Sequence, residues 1–243
     1  MVTKNRERSL AHTLEYSLRV SNRARNVTLK VNRAQGLMVV VPENFDQVHL
    51  PDILASREPW IKKQLEKFQA LPGKFESDWP PSSLELPGAG VRFDVNYINV
   101  PGERIRLRQR DCQLEVGLPE RFNNDNLVAL FVRWLKSLAK THCESVATEL
   151  SESTGLDYQK LTVRAQKTRW GSYSTRGTLS LNYKLLFLPQ HLMRHVILHE
   201  LSHSVHMNHS SDFWDLLEKV DPGSKQHDDQ LNSAWRYIPA WLD

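Results

Sequence analysis

Cysteine is scarce in this chain. Cys112 and Cys143 are its only two, far apart and outside any CxxC pair. That excludes a disulfide framework and a zinc ribbon, and two free thiols suit a reducing cytoplasm. Long apolar runs are missing as well: nothing approaches the roughly 18 residues of a membrane span. The opening text MVTKNRERSLAHTLEYSLRV lacks the unbroken apolar core of a signal peptide. These absences predict a soluble cytoplasmic protein with no membrane partner. No repeat of 20 to 50 residues and no low-complexity tract is visible. Charge of one sign is in short supply too, the net being +4. The excess is uneven: the first 34 residues carry Arg6, Arg8, Arg19, Arg23, Arg25 and Arg33 with two lysines, against Glu7 and Glu15. Such a surface could meet phosphates, so a nucleic-acid partner stands as an alternative, although weak positive charge more often marks solvated faces.

What is present is enough for ordinary folding. With 243 residues, 40% of them hydrophobic and seven of them tryptophan, the chain can bury a core without staples. The stretches YSLRVS, NVTLKVN and GLMVVVP alternate as strands do and predict a small antiparallel meander. One or two helices are expected in FDQVHLPDILASREPWIKKQLEKFQAL. The proline- and glycine-rich PGKFESDWPPSSLELPGAG reads as a connector. VRFDVNYINV, RIRLRQ and CQLEVGLP read as further strands. From Asn126 to about Gly155 apolar residues recur at three and four, a long amphipathic helix ending at a glycine. KLTVRAQ, then RWGSYSTRGTLSLNYKLLFLP, read as strands with a turn at STRG, and Pro189 opens a helix.

That last helix carries the chemistry. His199, Glu200 and His203 form H-E-x-x-H, and residues four apart stand on one helical face, so two imidazoles can reach one metal ion. Glu200 lies about a third of a turn aside, placed to act as general base on a water. Leu192, Val196, Ile197, Leu198 and Leu201 predict burial, and buried unpaired polar groups cost on the order of a few kcal/mol each, so His and Glu there need a partner. A catalytic zinc takes three protein ligands and keeps a fourth position open. His209 is the expected third ligand, provided the helix ends first. Asn208, in the turn-prone run NHSSD, can take the left-handed conformation that turns a chain. His206 competes if the helix runs on, and His195 lies on the same face; both are expected beside the site or on the surface. Three neutral nitrogens suit Zn2+, and the implied reaction is hydrolysis of an amide bond.

The text VRAQKTRWGSYSTRGTLSLNYKLLFLPQHLMRHVILHELSHSVHMNHSSDFWDLLEKVDP, residues 163 to 222, resembles the YgjP-like metallopeptidases, relatives of the SprT-like and Wss-type zinc proteases. The RWGS text, the strand after it, HELSH and NHSSDFW stand in that family's order. LRVSNRARNVTLKVNRAQGLMVVVP and the WIKKQL helix resemble its N-terminal part. The resemblance implies a zinc-dependent HExxH hydrolase acting on peptide or protein substrates, with His199, His203 and His209 as ligands and Glu200 as base. It implies an α+β fold: a β-rich N-terminal region, 1–122, with one or two helices, then a zincin-like metallopeptidase domain, 123–243. There an active-site helix packs on a small antiparallel sheet. By analogy with zinc peptidases, the strand holding Leu179, Leu181 and Tyr183 would form the sheet's rim, where a peptide could bind as an added strand. Arg169, His227 and Tyr237 are candidates to stabilise an oxyanion. Phe213, Trp214, Leu216 and Leu217 are expected in the core behind the metal.

Overall fold

The structure is a computed structural model that describes residues 16–22, 24–32, 36–69 and 79–242. Arg6, Arg8, Arg23 and Arg33, part of the expected basic surface, lie outside them. The fold is α+β, in two compact units: Met1–Ser77 with Pro239–Trp241 and Asp243, and Asp78–Ile238 with Leu242. The boundary expected at 122/123 falls inside the second unit, where contacts cross it: the Phe93 ring meets that of Trp134 at 5.0 Å, and the Gly88 carbonyl accepts from His142 Nε2 at 2.9 Å.

In the first unit, β1 (Tyr16–Ser21), β2 (Thr28–Asn32) and β3 (Gly36–Pro42) form a sheet in the order β1-β3-β2. β1 runs parallel to β3 and β2 antiparallel to it. The expected meander is therefore corrected: alternation of apolar residues fixes which face each strand buries but not its neighbours. Leu37, Val39 and Val41 point to one face and pack with Leu50, Leu54 and Ile61. The last three belong to a single helix, α1 (Leu50–Gln69).

The second unit begins with β4 (Ser83–Leu86), β5 (Val91–Asn99), β6 (Arg106–Arg110) and β7 (Gln113–Leu118), in the order β4-β5-β7-β6. β4 sits in text expected to be connector. Leu84 and Leu86 alternate inward and are buried, which outweighs the prolines around them. The long helix α2 (Asn124–Thr154) is capped by the Asn123 side chain, which accepts from the Asp125 N–H at 2.8 Å. It ends at Gly155, whose φ of 73° a residue with a Cβ resists. Leu127, Phe131, Leu135, Ala139, Cys143, Ala147 and Leu150 form its buried stripe.

Three short strands carry the site: β8 (Lys160–Arg164), β9 (Gly171–Tyr173) and β10 (Thr178–Asn182). Their order is β8-β10-β9, with β10 parallel to β8 and antiparallel to β9, so this sheet is mixed where an antiparallel one was expected. A 3-10 turn, Tyr183–Phe187, leads to α3 (Gln190–Ser202), opened by Pro189. α4 (Ser211–Val220) and α5 (Ser224–Leu231) follow. A bidentate pair from Arg194 to Glu149, at 2.9 and 3.1 Å, links α3 to α2.

Candidate metal centre

α3 is driven inward by Leu192, Met193, Val196, Ile197, Leu198 and Leu201, all buried, and these carry its polar residues with them. The helix then stops early. It ends at Ser202, and His203 caps it in right-handed backbone, φ −67° and ψ −11°. Ser204 and Val205 donate to the carbonyls three residues back at 2.8 and 3.1 Å, winding the chain tighter before it leaves the axis. The left-handed turn expected at Asn208 is not used: among the described residues Asp111 alone has a positive φ without being glycine. The break matters more than its form, since it frees His209 from helical rotation.

His209 swings back to the helix. Its Nε2 lies 3.0 Å from Nε2 of His199, and its ring is 4.8 Å from that of His203. The three rings offer nitrogens within 4.8 Å of one another, a group that could hold a metal ion. Phe213 of α4 holds them from behind, with its centroid 4.7 Å from His203 and His209 and 5.0 Å from His199. Burial pulls His199 down to about 4 and His203 below the ordinary histidine range, so both are neutral near pH 7 and keep a lone pair. His206 turns its carbonyl, not its ring, to the site, accepting from Nδ1 of His203 at 2.9 Å.

Glu200 points to a different wall, the strand β9. Gly171 leaves the room for it: a Cβ there would come within 2.7 Å of Glu200 Oε1. Glu200 as a whole is 8% exposed. Burial raises it to about 7, against the lowering influence of Arg169 and of a hydrogen bond from the Tyr173 backbone. A carboxylate at that value is poised for proton transfer near neutral pH.

A second cluster lies behind His199 and was not foreseen. His195, fully buried, meets Asp221 through Nδ1 at 2.5 Å and Asp228 through Nε2 at 3.2 Å. Asp221 also accepts from Nδ1 of His227 at 3.1 Å, which places His227 in this network. Burial lowers His195, but the two carboxylates outweigh it and hold the ring at about 9, charged and donating from both nitrogens. No spacing rule could have found Asp221 and Asp228, which reach His195 from 26 and 33 residues away.

The substrate-binding expectation at Leu179, Leu181 and Tyr183 needs correction. β10 is the central strand of its sheet, and these side chains are 0%, 0% and 2% exposed. They form core, and a central strand has both edges already paired. The strand with an open edge beside Glu200 is β9.

The family model for the YgjP-like metallopeptidase domain matches residues 25–234, across both units. The chain belongs to the YgjP-like metallopeptidase family. A comparison with curated proteins finds no match. Among solved structures, the crystal structure of the metallopeptidase zymogen of Pyrococcus abyssi abylysin is similar at 29% identity over 36% of this chain and 90% of that one, with a TM-score of 0.34. A metallopeptidase acts on peptide or protein substrates with the help of a metal ion, and no helix among the described residues is long and apolar enough to cross a membrane.

Proposed function

We propose that this metallopeptidase uses zinc, held by His199, His203 and His209, with Glu200 as the general base. The observation that carries this reading is the meeting of three imidazole nitrogens beside a buried carboxylate that is not among them. The donor set fits the ion. Zinc–nitrogen bonds of about 2.0–2.1 Å in a tetrahedron put the nitrogens about 3.3 Å apart, and the His199–His209 separation is 3.0 Å. When bound, zinc supplies Lewis acidity, polarising a carbonyl and making water a stronger acid near neutral pH.

The rest is work for the chain. Glu200 takes a proton from the attacking water and returns it to the leaving amine, a two-way role that a pKa near neutrality serves. His206, through its carbonyl, keeps the Nδ1 proton of His203 fixed and so leaves Nε2 as the lone-pair nitrogen. A peptide is placed along the open edge of β9, where Gly171 and Tyr173 border Glu200. A mixed peptide library digested by the purified chain, with and without zinc, tests the reading. Zinc-dependent cleavage is expected, and zinc-loaded protein that leaves the library intact would overturn it.

A further inference from the structure

One cavity stands on the other side of the same strands. It encloses about 470 Å³ and is lined by Arg164, Gln166, Lys167, Arg169, Ser172 and Ser180, with Thr168 beside them. The register gives its position. Gly171 pairs with Leu181 and faces Glu200, whereas Ser172 pairs with Ser180 one residue on and so faces away from α3. Thr162 shares the second face, its hydroxyl 2.9 Å from that of Ser180, and Arg164, two residues further along β8, lies on that face too. The loop that carries the other cations is anchored. Asn182, fully buried, donates its amide to the carbonyls of Gln166 and Arg169 at 2.8 and 3.0 Å. Trp170 stacks on Trp235 with 4.1 Å between centroids.

The charge of this face is one-sided. Residues 158 to 199 contain no aspartate or glutamate. Neither Arg164 nor Lys167 makes an ion pair with a carboxylate among the described residues, and the nearby Arg169 acts electrostatically on Glu200. Cations gathered around hydroxyl donors favour an anion that brings acceptor oxygens.

The strand between cavity and catalytic side also sets which part of a bound peptide would reach it. Asn182 N–H donates to the Trp170 carbonyl, and Ser174 N–H to that of Thr178. Bonds to β10 therefore fall on even-numbered residues, and Gly171 and Tyr173 turn their backbone groups the other way; the Tyr173 N–H is taken by the Glu200 carboxylate, which leaves the Gly171 N–H and carbonyl and the Tyr173 carbonyl for an added strand. A peptide added there lies about 4.8 Å from β9 and sends successive side chains to opposite faces. One set faces Glu200. The alternate set faces the same side of the sheet as Ser172, Ser180 and the cavity.

We propose that the chain selects peptides with an acidic side chain, read by Arg164, Lys167 and Arg169, at positions alternating with those that face Glu200. This rests on the peptidase reading above. The pocket runs from Ser172 on the edge strand β9 through Ser180 on β10 to Arg164 on β8, with Lys167 and Arg169 on the loop that joins β8 to β9.

The test uses zinc-loaded Glu200→Gln protein and fluorescent neutral decapeptides, each with one Glu moved along the sequence and a Gln counterpart, read by anisotropy. Glu at every second position is expected to tighten binding about tenfold over Gln, and added salt should erode the gain. In Arg164→Gln/Lys167→Gln the ratio should fall towards one. In otherwise wild-type protein the same pattern should appear in kcat/KM. Equal binding of Glu and Gln peptides, or a preference that survives the double substitution, would overturn the proposal. So would a single-stranded oligonucleotide that binds more tightly than any acidic peptide and is lost in the double variant. Cleavage without acidic preference would remove the subsite and leave the peptidase reading standing. Acidic binding that the double variant abolishes, with no cleavage by wild type, would do the reverse.

Discussion

Nδ1 of His203 donates to the carbonyl oxygen of His206 at 2.9 Å, across the turn that ends α3. The ring of His206 has no place in this contact; its backbone does. His206→Ala should therefore leave zinc affinity nearly unchanged, while His209→Ala, which removes a proposed ligand nitrogen, should lower it by orders of magnitude. Competition with a graded chelator measures both. Loss of zinc from the His206 variant with retention in the His209 variant would reverse the assignment.

Gly171→Ala probes the wall behind Glu200, the proposed base. The added methyl would stand 2.7 Å from Glu200 Oε1 and Cγ, so the carboxylate must swing away. Misplacing a catalytic group by about 1 Å can cost about 100-fold in rate. We expect a fall of that order in kcat with zinc content unchanged. A rate within twofold of wild type would show that the position of Glu200 is not critical.

The His195 network makes stability depend on pH. The folded pKa of His195, about 9, lies above its ordinary 6.5. The stability it gains from its carboxylates is therefore complete below about pH 6.5 and is lost as pH rises through 9. Asp221 and Asp228 are held below the usual carboxylate range by their histidine partners, so their share is present above that range and lost only as pH falls through it. Denaturant melts of the metal-free protein should show a decline on the order of 2 kcal/mol between pH 6.5 and 9. His195→Gln should be less stable at pH 6.5 and should decline less over that window, the smaller remaining fall coming from Glu200, whose carboxyl is raised to about 7. An unchanged slope in the variant would contradict the charged pairing.

Much of this was legible in the sequence, and the limits are physical. Helical periodicity placed the buried stripe of α2 and the apolar shell of α3. H-E-x-x-H spacing set His199 and His203 on one face, and rotation alone required a break before His209. The meeting of these three rings follows from local rules. Strand order does not. β1 beside β3 and β10 between β8 and β9 are choices among non-local pairings that alternation leaves open. Hence Leu179 and Leu181, expected at a rim, lie in the core. Asp221 and Asp228 carry no spacing signal because the folding of α4 and α5 against α3 creates their relation to His195.

The most direct test of the account measures peptide turnover and zinc content on the same samples of wild type and Glu200→Gln. The account predicts about one zinc per chain in both, hydrolysis by the wild type, and a loss of turnover of at least about 100-fold in the variant, because an amide cannot accept the proton of water. Turnover that survives in the zinc-loaded variant, or zinc that is lost with the carboxylate, would contradict it.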